Sequence, residues 1–410
     1  MIKRLFIFLI MPLLALSGKL YGQDTAYTFP EGYLDQAEDI PSFWVTTVDE
    51  VNDFITTKVH KGTPELLGYS AGGRPIYGVT YGSPRKDDGT TTYSGSLSVR
   101  RLSAFRGSES SKKVFMAFGA VHGFEVEPIM GIVNLISVFE TGRDLNGTEW
   151  PQVVSMLDSL DRIVLVPLCN PDGRARVPVR MEKFRGSEVG ANHIHEWLNT
   201  GGYADGRLLG WPDCKEYIPL DFSTVAFPGG YPNDNGVNIM HDDFFGQVQP
   251  ETRILFDLAG REKPDLMYNM HCGVGRTNPF INVFTPCKYN TPPIMPAVAD
   301  SLRNFAYPEL IVRGYNKIKD VKDMHTAKHN TSARVNLTDM LALHTGGFCA
   351  TVESPCHGWT GINPDGSVVD NSAVNILNQH MILFQETMKF LSRTGGVENW
   401  EKIFKNKKNR

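Results

Sequence analysis

Four polar residues have the chemical types and positions needed for metal-assisted catalysis. His122 and Glu125 are three residues apart and follow an apolar run, and His271 and Glu353 each end another apolar run. Two imidazoles and a carboxylate suit a zinc ion, and a further carboxylate beside it suits a general base. The sequence therefore predicts one zinc ion held by His122, Glu125 and His271, with Glu353 as the base.

The His-x-x-Glu spacing alone does not identify the site, because the sequence contains it twice. His193 and Glu196 repeat the spacing within a segment rich in glycine, asparagine and serine. The first copy lies between a strand-like apolar run and a helix-like pattern, which places it at the end of a strand. This context favours His122 and Glu125 over the second copy.

His271 and Glu353 each have an ordinary structural explanation as well. A lone histidine is commonly a buried residue with a satisfied hydrogen bond, and Cys272 is a competing ligand beside it. Neighbouring residues of a strand face opposite sides, and imidazole is the better ligand for an open catalytic zinc site. Glu353 could instead be a surface glutamate that closes a strand before Pro355.

Strand-like and helix-like segments alternate along most of the chain. The predicted strands are 113–118, 162–168, 266–270 and 348–352, and the predicted helices are 128–139, 250–261, 295–305 and 373–391. This alternation predicts an α/β sandwich with a largely parallel sheet, in which ligands bind beyond the carboxyl ends of the strands. We expect one domain over 23–395, with an irregular active-site surround at about 173–235.

The chain start and the net charge indicate where the protein works. Lys3 and Arg4 precede an apolar run at 5–16 and then small residues, which predicts a signal peptide over residues 1–22 and a secreted or periplasmic protein. The run is short for a membrane span, so no membrane association is expected after cleavage; an uncleaved anchor is the alternative. A formal net charge of -4 gives no reason to expect a nucleic-acid partner.

The cysteines and the basic chain end add little about function. Six cysteines in an exported chain permit disulfides, and buried free thiols are the alternative. Neither the pairing nor the oligomeric state follows from the sequence. The basic residues at 396–410 are interpreted as a solvated tail.

Five motifs resemble, in order, those of the zinc carboxypeptidases, peptidase family M14, and indicate a divergent member. They are LGYSAGGRPI at 67–76, HGFE at 122–125, VPLCNPDG at 166–173, the strand ending at His271 and the strand ending at Glu353. The resemblance covers about 300 residues. It implies a three-layer α/β/α sandwich around a mixed, mostly parallel sheet of about eight strands.

The resemblance also implies an activity, namely hydrolysis of peptide amide bonds in a peptide or peptide-like substrate. Glu353 would take a proton from a zinc-bound water during attack on the carbonyl and return it to the departing amine. The family arginine that stabilises the oxyanion corresponds to Arg185, counted from the NPDG turn. Arg176 and Arg180 are close enough in sequence to be confused with it.

The chain departs from the family where relatives bind the terminal carboxylate of the substrate. Met240 and His241 stand in place of an asparagine and an arginine, so the bidentate grip of arginine is missing there. Asn238 replaces an aspartate that orients a zinc-bound histidine in relatives. No tyrosine follows Tyr315, so the mobile tyrosine of the family has no equivalent upstream of Glu353.

These departures leave the substrate and even the activity open to alternatives. Arg176, Arg180 and His241 are candidates for a different substrate anchor. One alternative function is a zinc amidohydrolase that acts on cell-wall peptides or N-acyl amino acids. Another is a non-catalytic binding protein on the same scaffold, although retention of the ligands and of Glu353 favours an enzyme.

Overall fold

A computed structural model describes most of the chain. The described residues are 27–29, 39–90, 96, 98–99, 101–181, 191–210, 214, 219–273, 279–284, 286, 294–315, 335–357, 360–362 and 368–405. The predicted signal peptide and Arg185 lie outside these ranges. Within the ranges, no helix has the length and apolar character needed to cross a membrane.

Strands and helices alternate along the described chain. The strands are β1 (Thr63–Tyr69), β2 (Pro75–Gly82), β3 (Val114–Gly119), β4 (Arg162–Val166), β5 (Leu266–Cys272), β6 (Asn282–Val283), β7 (Phe348–Ser354), β8 (Thr360–Ile362) and β9 (Val368–Asp370). The α-helices are α1 (Val48–Lys58), α2 (Val126–Thr141), α3 (Pro151–Val154), α4 (Met156–Ser159), α5 (Pro171–Arg176), α6 (Ala191–Thr200), α7 (Pro250–Glu262), α8 (Met295–Val312), α9 (Leu337–Thr345), α10 (Ala373–Thr394) and α11 (Gly396–Lys405). Short 3-10 helices cover Phe222–Thr224 and Ile239–His241.

Seven of the described strands form one mixed sheet in the order β1-β2-β4-β3-β5-β7-β6. Its four central strands are mutually parallel, and β2 and β6 join them in antiparallel orientation. The chain places β4 on one side of β3 and β5 on the other, so the strand order reverses at β3. Ligands bind beyond the carboxyl ends of strands at such a reversal. His122 and Glu125 follow β3 directly.

Helices cover both faces of this sheet and create two cores. Helices α2, α8 and α10 pack on one face, and α7 and α9 pack on the other. Side chains of β3 alternate between them, with Phe115 in the first core and Met116 in the second. Helix α2 is buried at every position from Val126 to Phe139, which explains an apolar sequence around its whole circumference. The predicted three-layer α/β/α class is confirmed.

The main sheet differs from the prediction in strand number and direction. Among described residues it has seven strands instead of about eight, and three of its six neighbouring pairs are antiparallel. The parallel character is confined to the centre, where β4, β3, β5 and β7 are separated in sequence by helical crossovers. The two edges are antiparallel: a short connection joins β1 to β2 as a hairpin, whereas β6 pairs with β7 across a long stretch of chain that contains α8 and α9.

The prediction of a solvated tail is wrong for residues 396–405, which form α11. Val397, Trp400 and Phe404 are buried and belong to the first core. The side chain of Glu401 accepts a hydrogen bond from the backbone N–H of Leu102 at 2.8 Å. The apolar residues recur three and four positions apart, as on one face of a helix, and the charged residues between them, Glu398, Glu401 and Lys402, conceal this pattern.

The segment predicted to be irregular also contains a helix. In α6, Ile194 and Leu198 are fully buried and share a small separate core with Phe124 and Phe227. Phe124 lies between His122 and Glu125 in sequence. The segment therefore packs directly against the loop that carries those two side chains.

Candidate metal centre

The loop that leaves β3 places His122 and Glu125 side by side. Ala120 turns the chain out of the strand with a φ of 52°, a left-handed conformation that is uncommon for residues other than glycine. Glu125 immediately precedes α2. The Nδ1 atom of His122 lies 2.7 Å from Oε1 of Glu125.

Gly123 allows this loop to approach two other backbone segments. A Cβ atom on Gly123 would lie 2.1 Å from the backbone nitrogen of Arg174, a distance that no real side chain adopts. The Gly123 N–H donates to the carbonyl oxygen of Gly230 at 2.7 Å. The Asn170 side chain reinforces the junction by donating to the carbonyl oxygens of Val121 and Tyr231. The NPDG turn therefore fixes the position of the HGFE loop.

Strands β5 and β7 supply the other two predicted residues. The Nδ1 atom of His271 lies 2.7 Å from Oε2 of Glu125, so each carboxylate oxygen of Glu125 faces one imidazole nitrogen. Glu353 is half-buried and is paired with His271 in the parallel register of β5 and β7. The structure thus brings His122, Glu125, His271 and Glu353 together.

The donor atoms of His122, Glu125 and His271 fit a zinc ion. They all lie within 4.8 Å of one another, and the three residues are only 4%, 2% and 2% exposed. Two imidazole nitrogens and one carboxylate leave an open position, which is the ligand number of catalytic zinc sites. We name this group the metal cluster.

The pKa shifts of two residues of the metal cluster, His122 and Glu125, suit a cation, and that of His271 does not. Burial lowers the pKa of His122, although Glu125 and Asn238 act to raise it. Burial alone would raise the pKa of Glu125, but the two histidines outweigh it and the pKa is lowered. A neutral imidazole and an ionised carboxylate are the forms that bind metal. The pKa of His271 is raised, because Glu125 and Glu353 outweigh its burial.

Tyr231 is a site residue that sequence reasoning missed. Its ring stacks on the imidazole of His122 with a centroid distance of 3.6 Å and an interplanar angle of 4°. Burial raises its pKa well above the ordinary value, and the charges of Glu125 and Glu353 raise it further. Tyr231 comes from a glycine- and proline-rich loop without periodicity, so its sequence context offers no signal of this contact.

Arg176, one of the predicted substrate anchors, is bonded to the loop of Tyr231. Its guanidinium donates to the carbonyl oxygens of Gly229 and Pro232 and to the carboxylate of Asp234. Its side chain is 6% exposed. These bonds hold the loop on which Tyr231 lies, which gives Arg176 a structural role in positioning that loop.

Arg176 belongs to a larger network that we name the polar brace. Its members are Ser70, Arg74, Asp172, Arg176, Asp234 and Glu251. Asp172 accepts from Ser70 Oγ at 2.5 Å and from Arg74 at 2.9 Å, and Arg74 also donates to Asp234. Glu251 accepts from the backbone N–H of Ala71. The motif residues at 67–76 and 166–173 thus link the first hairpin to the loop of Tyr231.

The remaining predicted substrate residues lie as follows. Arg180 forms an ion pair with Glu50 in α1, and its carbonyl oxygen accepts from Trp44. His241 is half-buried at the end of its 3-10 helix. Met240 lies in the second core, where its sulfur accepts from Asn269 at 3.3 Å, so it contributes packing.

Comparisons with known proteins identify the fold. Neither a protein-family model nor a curated protein matches the sequence. Among solved structures, a protein from Burkholderia mallei ATCC 23344 that is provisionally named a carboxypeptidase matches with a TM-score of 0.50 and 13% identity. The match covers 84% of this chain and 66% of that one. The chain has the carboxypeptidase fold.

Further structures with lower scores carry the same type of name. A metallo-carboxypeptidase from Pseudomonas aeruginosa, in complex with (2-guanidinoethylmercapto)succinic acid, has a TM-score of 0.49 and 12% identity over 84% of this chain and 68% of that one. A metallo-carboxypeptidase from Burkholderia cenocepacia has a TM-score of 0.48 and 12% identity, with 84% and 69% covered. The chain therefore spans about two thirds of the length of these carboxypeptidase-fold proteins.

Proposed function

We propose that the protein is a zinc-dependent hydrolase of peptide-type amide bonds, of the metallo-carboxypeptidase type. The observation that carries this proposal is the convergence of His122 Nδ1, His271 Nδ1 and the Glu125 carboxylate, with Glu353 on the neighbouring strand. The signal-like residues 1–22 support action outside the cytoplasm, as a secreted or periplasmic protein.

In the proposed reaction, the metal cluster and Glu353 have different roles. A zinc ion bound by the cluster would polarise the amide carbonyl and lower the pKa of a water molecule. The Glu353 carboxylate accepts a proton from the attacking water and delivers it to the amine nitrogen as the carbon–nitrogen bond breaks. Parallel pairing with His271 fixes the strand position from which Glu353 acts.

The ligands are held rigidly, which favours this chemistry. His271 and Glu353 lie on buried strands, and His122 is confined between Tyr231 on its ring face and Glu125 at its edge. Side chains on rigid elements lose little freedom when substrate binds, so their geometry is prepared in advance. The polar brace extends this rigidity to the loop of Tyr231.

A zinc amidohydrolase that does not require a free terminal carboxylate is the second candidate. Met240, at the position where relatives carry an asparagine, is packed in the second core. Arg176 is committed to Gly229, Pro232 and Asp234. These contacts support a substrate pocket without a carboxylate grip at the two positions.

A substrate profile of the protein expressed from residue 23 tests the proposal. Chelator-treated protein would be assayed with free-acid peptides, the same peptides amidated, muropeptides and N-acyl amino acids, before and after addition of zinc. We expect hydrolysis of at least one class only after zinc is restored. Cleavage confined to free-acid peptides supports a carboxypeptidase, and equal cleavage of amidated peptides supports the amidohydrolase.

Two results would contradict the proposal. Hydrolysis that persists unchanged in fully metal-free protein would exclude a role for zinc. Stoichiometric zinc binding without hydrolysis of any class would favour a binding protein on this scaffold.

A further inference from the structure

A second cluster of metal-ligating side chains lies next to the metal cluster. Glu127 is in the first turn of α2, Cys272 is the last residue of β5, and Cys356 follows β7 by two residues. Cys272 is adjacent to His271, and neighbouring strand residues face opposite sides of a sheet. The second cluster therefore lies on the face of β5 opposite to the His271 side chain.

The three side chains are buried and close together. They are 0%, 5% and 3% exposed, and their ligand atoms all lie within 4.8 Å of one another. The Cys272 thiol donates to Oε2 of Glu127 at 2.9 Å, and the His357 backbone N–H donates to Oε1 at 2.7 Å. The Glu127 carboxylate is thus held in place with one oxygen directed at the sulfur of Cys272.

An imidazole borders the same space. Nε2 of His195 and Sγ of Cys356 lie 3.6 and 3.7 Å from the point that a Cβ atom on Gly273 would occupy. His195 lies between His193 and Glu196 of the second His-x-x-Glu copy, a segment that the metal cluster does not use. Helix α6 therefore brings a further metal-ligating residue type beside the two thiols.

We propose that Glu127, Cys272 and Cys356 form a second, thiolate-containing metal site for a zinc-type divalent cation, and that the imidazole of His195, which borders the site, turns toward the cation as its fourth ligand. Two sulfurs with a carboxylate and an imidazole match the ligand types and the number found in closed, tetrahedral zinc sites. Thiolate ligands also select zinc over magnesium and calcium. The site is independent of the proposed hydrolytic function, since it uses none of the ligands of the metal cluster.

A disulfide between Cys272 and Cys356 is the competing arrangement of the same two sulfurs. It would bond the sulfurs to each other at about 2.05 Å and would use neither Glu127 nor His195. The position of Glu127 favours the metal, because its carboxylate lies beside both sulfurs as a third ligand and would have no part in a disulfide. The metal site predicts that Cys272 and Cys356 are reduced and bind a cation, and the disulfide predicts that they are oxidised and bonded to each other.

Cobalt(II) substitution of the protein expressed from residue 23 distinguishes them. Reduced, metal-free protein would be titrated with cobalt(II), and bound metal, ultraviolet absorption and intact mass would be recorded. We expect two equivalents of cobalt per chain and an intense thiolate-to-cobalt charge-transfer band. His122, Glu125 and His271 contain no sulfur, so the metal cluster cannot produce this band.

Variants assign the band to its residues. Cys272→Ser/Cys356→Ser should bind one equivalent and lose the band, whereas Cys349→Ala, a buried cysteine elsewhere in β7, should keep both. If the double variant does not fold, the amount of cobalt bound per wild-type chain and the charge-transfer band of the wild-type protein still test the proposal. One equivalent without the band would overturn the proposal. An as-isolated mass lower by two hydrogens, with Cys272 joined to Cys356, would overturn it in favour of the disulfide.

Discussion

The metal cluster and the polar brace are both buried groups of charged residues near the ends of the central strands, but their charges are arranged differently. In the polar brace each cation faces an anion, as Arg74 faces Asp172 and Asp234. In the metal cluster the imidazole nitrogens of His122 and His271 converge on the single carboxylate of Glu125. Complementary pairs satisfy one another and indicate a structural role. Convergent metal-ligating atoms indicate a bound cation.

The largest effect should follow from removing one ligand of the metal cluster. His271→Ala should abolish zinc binding at that site and lower kcat/KM at least about 10³-fold, because a catalytic metal supplies several kcal/mol of transition-state stabilisation. Metal analysis and hydrolysis of the best substrate measure both effects. His60→Ala, an exposed histidine on the surface, is the matched control. Full activity of His271→Ala would show that hydrolysis does not need the metal cluster. The functional difference between the metal cluster and the polar brace would then be lost.

Removing a cation from the polar brace should lower the stability of the fold more than it weakens substrate binding. Arg176→Met leaves the carbonyl oxygens of Gly229 and Pro232 without this donor and removes one of the two guanidinium partners of Asp234. We expect the free energy of unfolding to fall by about 2–4 kcal/mol, toward the lower part of the range for broken buried pairs, because Asp234 is 26% exposed. Urea denaturation measures this loss. An increase in KM with unchanged stability would instead restore Arg176 as a substrate anchor.

The polar brace should also give the protein a pH-dependent stability. Burial raises the pKa of Glu251 from 4.5 to about 7, and the charge of Asp172 contributes in the same direction. The folded state keeps a proton that the unfolded state loses, so stability declines as the pH rises from about 4.5 through 7.

Glu251→Gln removes this titration and should flatten the pH profile. The free energy of unfolding of the variant minus that of wild type should be larger at pH 8 than at pH 4. The increase should be on the order of 2–3 kcal/mol. Denaturation at the two pH values measures the difference, with the exposed Glu149→Gln as control. An equal effect at both pH values would show that Glu251 does not titrate in this range.

The smallest effect should appear where the two groups meet, at Tyr231. Tyr231→Ala removes the ring that confines His122 and should weaken zinc binding about 10-fold, a typical cost of losing a residue that supports a ligand. Tyr231→Phe retains the ring and should bind zinc like wild type. Competition with a chromogenic chelator measures both affinities. Equal weakening by both variants would assign the effect to the hydroxyl group instead of the ring.

The strand ends could be predicted from the sequence because their signals are local. A buried strand appears in the sequence as an apolar run, and a polar residue at its end lies at the rim of the sheet. This rule led to His122, His271 and Glu353. The α/β class followed from the same alternation of elements, whereas the three-layer α/β/α arrangement was implied by the resemblance to the zinc carboxypeptidases. The parallel centre of the sheet could therefore be predicted without knowledge of contacts between distant segments.

The remaining features depend on contacts between distant segments. The role of Arg176 depends on a loop more than fifty residues later, at Gly229, Pro232 and Asp234. Tyr231 reaches His122 from the same loop, where glycine and proline leave no periodicity. In α11, the charged residues Glu401 and Lys402 between Trp400 and Phe404 obscure an apolar helix face. Arg185 lies outside the described residues, and its role as the oxyanion residue stays a prediction.

The central claim is that the metal cluster and Glu353 form one hydrolytic site with separable roles. Its most direct test is Glu353→Gln, assayed with the best substrate and analysed for zinc in the same preparation. We expect the rate to fall about 10²- to 10⁴-fold, the typical contribution of a general acid–base group, while zinc content stays at the wild-type value. Wild-type activity in a folded, zinc-loaded Glu353→Gln variant would contradict the claim.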